Sequence, residues 1–199
     1  MIMQRAGAYV ALLCLLMGLT GCGAPRETLP ERSATEQLLI STAADRAVDA
    51  LPVEGLAGKK VFIDDSRLEC LDKGYVVQRI RQAVVENGAY PAAEREGSDV
   101  TLEVASGALS VDKRNYLLGI PEIAVPMPFS GGSLGLPEIS ILKIVSYTGE
   151  AKLVFTAAET ATNSLLYEVP VCRGNVLTAY WTVLQFFGPY EWSNLPEEE

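Results

Sequence analysis

Histidine does not occur anywhere in the 199 residues. Its absence removes histidine triads, histidine-ligated zinc and most general-base chemistry near neutral pH. Cations are scarce as well: 16 Lys and Arg stand against 25 Asp and Glu, a formal net charge of −9. That balance argues against nucleic acid or an anionic lipid surface as the main partner, because both bind clustered positive charge. A membrane-spanning helix needs about 20 consecutive apolar residues, and the apolar run near the start of the chain is shorter than that. There is no internal repeat, no spacing of acidic or cysteine residues that makes a metal site, and no motif that asks for a cofactor. A non-enzymatic protein is the expectation.

What is present begins with that run. MIMQRAG carries one charge, Arg5, and is followed by AYVALLCLLMGL and then Leu19-Thr20-Gly21-Cys22. A short charged start, an apolar stretch and small residues before a cut describe an export signal. The ending resembles the bacterial lipobox, in which the cysteine thiol receives a diacylglyceryl group and cleavage leaves it as the acylated (palmitate-type) first residue. Residues 1–21 are therefore expected to leave as a lipoprotein signal peptide, with Cys22 lipidated. Acyl chains hold a membrane through about 0.8 kcal/mol per buried methylene. Gly23 follows the cysteine where the inner-membrane retention signal has aspartate, which implies lipid anchoring to the periplasmic face of an outer membrane.

Removal of residues 1–21 takes away Arg5 and lowers the formal net charge from −9 to −10. Residues 22–32 form the lipidated cysteine and a tether, with two prolines in GAPRETLPER; ten extended residues reach at most about 33–36 Å. Residues 33–199 are enough for one well-cored periplasmic domain. The last three residues are glutamates, a short solvated tail. With Cys14 in the signal peptide and Cys22 acylated, Cys70 and Cys172 are left to form a disulfide in an oxidising compartment; the alternative is that both are small buried apolar residues.

Ser33-Ala34-Thr35-Glu36 fits a capping box, and Ile40, Ala44, Ala47, Val48 and Leu51 recur at helical spacing up to Pro52. KKVFID predicts a strand at 59–64. A second helix is expected at about 75–87, with Val76, Ile80, Ala83 and Val84 inward and Gly88 as its stop. A short segment at 89–92 precedes a long alternating strand from Val100, with a bulge at Gly107. After the proline- and glycine-rich stretch 119–137, strands are expected at 139–147 and 151–158 around a hairpin turn at Thr148-Gly149-Glu150. Leu165–Cys172 is another strand candidate. The stretch 176–187 fits helix or strand, with a strand preferred from Trp181 to Phe187. This order predicts an α+β fold, a mainly antiparallel sheet with two amphipathic helices on one face.

The stretches RSATEQLLIS, KKVFID, DKGYVVQRIRQAVVENGAY, GSDVTLEVASGAL, TGEAKLVF and VLQFFGPYEWSNLPE together resemble an uncharacterised family of bacterial lipoproteins over nearly the whole mature chain. More distantly, the helix–strand–helix–strand order with GSDVTLEV opening the long strand is similar to the periplasmic domain of the curli-secretion lipoprotein and of the lipoprotein activators of peptidoglycan synthases. Fold-level likeness does not carry function, and the resemblance implies no catalytic residue. The activators use long tethers to cross the envelope, whereas this tether is short.

Gly131-Gly132-Ser133-Leu134-Gly135 matches G-x-S-x-G, but a nucleophile elbow needs a strand before it, a helix after it and a histidine. Ser110 and Lys113 match S-x-x-K, yet on a strand they point to opposite faces. Asp64-Asp65 lacks the further oxygen ligands that a hard cation takes and reads as a turn cap. Trp181, Phe186, Phe187, Tyr190 and Trp192 form an aromatic cluster, expected first as core and otherwise as a grip on glycan or a partner.

The segment from Leu117 to Ser140 has no positive charge and four prolines. It reads as a long loop, and such loops in compact domains are usually functional or mobile. Leu117, Leu118, Ile120, Ile123, Val125, Met127 and Phe129 call for burial within it. Either the segment folds back as a cover over the sheet, or it offers an apolar edge to a partner or bilayer. The chain as a whole reads as a non-enzymatic outer-membrane lipoprotein with a structural or adaptor role through contact with another envelope protein, with homo-oligomers open. The alternatives are a subunit of a secretion or assembly channel and, more remotely, a serine hydrolase using Ser133 or Ser110.

Overall fold

The computed structural model describes residues 32–196 except 54, 127–132 and 168–170. Cys22, Met127 and Phe129 lie outside the described residues. Residues from Arg32 onward form one compact unit, and its fold is α+β with a mixed, mainly antiparallel sheet.

Helix α1 (Ala34–Asp49) starts where the capping box places it: Ser33 Oγ accepts the Glu36 N–H at 3.1 Å. Strand β1 (Lys60–Arg67), helix α2 (Lys73–Glu86) and strand β2 (Tyr90–Ala92) follow, and β1 and β2 are parallel neighbours. Strand β3 (Val100–Ile120) lies parallel to β1 on its other side. Strands β4 (Ile123–Pro126) and β5 (Ser133–Leu136) pair only with each other, as a separate two-stranded sheet. Strands β6 (Ile139–Glu159), β7 (Leu165–Tyr167), β8 (Cys172–Val183) and β9 (Phe187–Ser193) complete the large sheet, in the order β2-β1-β3-β6-β8-β9 with β7 on β6.

The periodicities account for the core. Val61 and Ile63 of β1, Val100, Leu102 and Val104 of β3, and Leu153, Phe155 and Ala157 of β6 alternate onto one face. There they meet Leu39, Ala43, Ala47 and Val48 of α1 and Val76, Ile80 and Val84 of α2 in a single buried cluster. Each fully buried aliphatic side chain contributes roughly 1.5–3 kcal/mol relative to exposure. Arg79 of α2 ties the helices together, reaching Asp45 at 3.7 Å and also pairing with Asp49, while the Tyr75 hydroxyl donates to Asp45 at 2.9 Å. The bulge lies where Gly107 predicts it, between Ser106 and Ala108.

The expected hairpin turn at 148–150 is absent; β6 runs unbroken for 21 residues. The glycine that reads as a turn is instead a point of close approach. A Cβ on Gly149 would lie 2.5 Å from the carbonyl oxygen of Leu39, and one on Gly174 of β8 would collide with Ala43 O and stand 2.7 Å from Ala47 N. Two glycines thus let α1 settle directly on β6 and β8.

The expected disulfide is also absent: Cys70 and Cys172 are not joined to each other. The thiol of Cys172, at the start of β8, donates to Ala50 O at 3.5 Å. Cys70 follows β1, where the neighbouring Glu69 N–H donates to Ser106 Oγ of β3 at 3.1 Å. From β1 to β8 there are three inter-strand steps, about 14 Å in all, twice the about 7 Å that a disulfide spans between Cα atoms. Burial raises both thiols above the usual range, helped at Cys70 by the charge of Asp72.

Candidate functional site

Helix cover stops part-way along the sheet. The first turn of α1 reaches a cleft lined by Ser33, Thr35, Glu36, Val111, Lys113, Tyr147 and Tyr180. There Lys113 Nζ stands 5.4 Å from the centre of the Tyr147 ring, and Tyr147 meets Tyr180 edge-on at 6.3 Å. The Tyr180 hydroxyl donates to Glu191 at 3.3 Å; burial, then the Glu191 charge, raises its pKa. Past the Lys113–Tyr147 pair, β3 and β6 continue as partners to the Ile120–Ile139 pair. Eight residues at about 3.4 Å each make this arm roughly 27 Å long. The β4–β5 hairpin follows at its end.

Strand register builds the other face of the arm. Tyr116 of β3 lies opposite Ile144 of β6, Ile144 opposite Trp181 of β8, and Trp181 opposite Tyr190 of β9. One step along, Leu118, Leu142, Val183 and Phe187 form a second row across the same four strands. In the next row Trp192 stands opposite Ala179. Trp181 and Tyr190 stack at 4.6 Å between ring centres. Every one of these rows lies on the side away from the helices, since Gly149, Val176 and Thr178, the buried positions, alternate to the helix side.

The expectation that the aromatic cluster is core is therefore overturned. Trp181 is 40%, Phe186 86%, Phe187 59%, Tyr190 48% and Trp192 56% exposed. A four-strand sheet with helices on only one side has no second layer to bury them. The expected cover over the sheet is overturned as well. Leu117, Leu118 and Ile120 belong to the end of β3, and Ile123 and Val125 to β4, so the 117–140 segment is strand rather than loop wherever it is described, apart from its short connections. Leu118, Ile120, Ile123 and Val125 are exposed, as are Leu136, Ile139 and Ile141, and only Leu117 is half-buried. The prolines are accommodated as the physics requires: Pro121 and Pro137 fall between strands, and Pro126 ends a strand of an isolated pair.

The remaining candidates have ordinary surroundings. Ser133 opens β5 opposite Pro126, with no helix after it. Ser110 and Lys113 sit on β3, where Lys113 turns to Tyr147. Asp64 and Asp65 lie within β1, at the irregularity in its pairing with β3 and not at the expected turn; Asp64 accepts the Ser66 N–H at 3.0 Å, and the Ser66 hydroxyl and amide hold its carboxyl below the usual range. Asp65 pairs with Lys73 at 3.4 Å. Among the described residues no group of three Asp, Glu, Cys or His side chains is placed to hold a metal ion.

Sequence reasoning missed the cross-strand rows. The signal for them is the alternation Leu142, Ile144, Ser146 in β6 against Tyr116 and Leu118 in β3, legible once the two stretches are known to pair. No curated protein matches the chain. A family model matches residues 16–193, nearly the whole of it, and the chain belongs to that family, the family of unknown function DUF6655.

Proposed function

We propose that this protein is a non-enzymatic, lipid-anchored component of the bacterial envelope. It is held at the outer membrane through Cys22 and acts as an adaptor that grips another envelope protein with its β arm. The observation that carries the reading is the pair of apolar cross-strand rows, Tyr116–Ile144–Trp181–Tyr190 and Leu118–Leu142–Val183–Phe187, left open on the helix-free face. Monomeric proteins seldom leave a contiguous apolar patch of several hundred Å² uncovered unless it binds something. Aromatic side chains in the centre of such a patch are the usual anchors of protein–protein contact. The lack of histidine supports the non-enzymatic half of the reading.

The test uses detergent-extracted full-length protein. Trp181→Asp with Val125→Asp is expected to abolish co-purification of its envelope partner and to lower the thermal midpoint by no more than about 6 °C, the shift that losing the Trp181–Tyr190 stack would give. Unfolding of the domain by this pair of substitutions overturns the reading, because the residues then serve as core. A large ring in place of a small species moves the reading to the channel subunit. Cys22→Ala is expected to lose lipid labelling and accumulate uncut precursor; unchanged labelling removes the anchor.

A further inference from the structure

Three separate pieces of chain bring aliphatic side chains to the end of the arm. Ile120 and Ile139 close the β3–β6 pair, with Leu118 and Ile141 behind them, and all four are more than half exposed. Ile123 of β4 stands opposite Leu136 of β5, both exposed. The β8–β9 turn arrives at the same end: the Leu184 N–H donates to Ile141 O at 2.8 Å, and Leu184 and Phe186 are exposed. Leu184 and Gln185 have φ of 48° and 63°, positions where tight turns take asparagine or glycine. The turn itself does not call for an exposed leucine. Charge is nearly missing here. Among the described residues from Asn115 to Leu142 only Glu122 and Glu138 are charged, and Glu138 pairs with Lys143 at 2.7 Å. Residues 177–190 carry no charged side chain.

Polarity changes in a fixed order along the arm. Asp112, Lys113 and Arg114 stand at its base, the row Tyr116–Ile144–Trp181–Tyr190 comes next, and Leu118 and Ile120 follow. Charged, then tyrosine and tryptophan, then aliphatic is the order of a boundary between water and bilayer, where tyrosine and tryptophan settle at the level of the headgroups. Protein contacts are instead anchored by tryptophan, tyrosine and arginine, and beyond Leu118 the described residues of β3, β4 and β5 offer none of these. The lipid anchor can also reach this end. Arg32 lies beside Leu109 to Val111 of β3, and the nine steps from Val111 to Ile120 measure about 31 Å. The ten steps from Cys22 to Arg32 span at most about 33–36 Å.

We propose that the end of the arm is a membrane contact, dipping into the phospholipid layer that holds Cys22. The β3–β6 end, the β4–β5 pair and the β8–β9 turn meet uncharged acyl chains, which the negative net charge of the chain does not repel. Strands β4 and β5 pair only with each other and so keep open backbone edges, which the hydrocarbon core does not tolerate. Entry therefore stops in the headgroup and upper acyl region, about 5–10 Å deep, where interfacial elements lie. Two attachments, the acylated cysteine and the arm, then give the domain one orientation on the membrane. This inference rests on the lipid-anchor half of the proposed function and not on the grip of a protein partner.

The test reconstitutes the detergent-extracted full-length chain into phosphatidylcholine vesicles containing a phosphatidylcholine with a photoactivatable diazirine in its acyl chain. Flotation reports the anchor, and mass spectrometry after illumination maps lipid adducts on the chain. Adducts are expected at Leu118, Ile120, Ile123, Leu136 and Phe186. Val85, equally exposed but on α2, should carry none. Ile123→Asp with Leu136→Lys sets opposite charges directly across the β4–β5 pair, which preserves the pairing and disfavours entry into lipid. This variant is expected to float as wild type does and to lose adducts on the arm by roughly tenfold or more. The wild-type pattern is decisive whatever the stability of the variant. A floating wild type without adducts on the arm, or with as many at Val85, overturns the membrane contact and leaves the anchor standing. Unchanged labelling of the variant also overturns the contact. A wild type that fails to float overturns the anchor and the contact together.

Discussion

The two halves of the sheet are built from the same strands and differ in what covers them. Around Leu102, Leu153 and Val176 the large apolar residues lie mainly on the helix side, where two helices bury them to within a few per cent of full burial. Beyond the Lys113–Tyr147 pair the apolar residues change sides. Tyr116, Leu118, Ile144 and Trp181 face away from the helices, and the helix side carries Asn115, Lys143 and Thr182 beside Leu117 and Val145. Hydrophobicity alone therefore does not say where the core is. The inner half buries its apolar face under the helices, and the arm leaves its own exposed.

Substitutions in the two halves sharpen that contrast, and the largest effect belongs to the covered half. Leu102→Ala removes a fully buried side chain from β3 and is expected to cost roughly 2–5 kcal/mol in chemical denaturation. Gly174→Ala drives a methyl into the backbone of α1 between Ala43 and Ala47; overpacking of this kind costs about 1–3 kcal/mol, and a neutral result would contradict the close helix–strand approach. Trp181→Ala in the arm loses a stacked neighbour, Tyr190, worth about 0.5–1.5 kcal/mol. Its unfolding free energy should fall by no more than that. A loss as large as that of Leu102→Ala would erase the distinction between the halves. The smallest effect is expected from reducing agent. A Cys70–Cys172 bridge closing a loop of about 100 residues would contribute up to about 4.7 kcal/mol. Without one, the denaturation midpoint should not move, and both thiols should be alkylated in unfolded, unreduced protein.

The covered half was readable because its elements announce themselves locally. The capping serine, the helical spacing of Ala44, Ala47 and Val48, and the alternation of Val100, Leu102 and Val104 each need only a few adjacent residues. The arm was not, because its meaning lies in cross-strand pairings, such as Tyr116–Ile144 and Leu142–Val183, between residues far apart in the chain. Gly149 reads as a turn until α1 is seen resting on it. Trp181 and Tyr190 read as core until the register shows which face they share and that no second layer covers it. The prolines of 117–140 suggest a loop, although all those described fall at strand ends or between strands. The cysteine pair misled for the same reason: two leftover thiols are a count, and whether they meet is a matter of strand order.

The central claim, that the helix-free face of the arm is a contact surface, is tested most directly by hydroxyl-radical footprinting of its aromatic side chains. The protein is labelled once in native envelope membranes and once after purification. Trp181, Phe187, Tyr190 and Trp192 are expected to be oxidised readily in the purified protein and shielded in the membranes, while Phe155, buried in the helix-covered half, stays unlabelled in both. Equal labelling of the four aromatics in the two preparations would contradict the account.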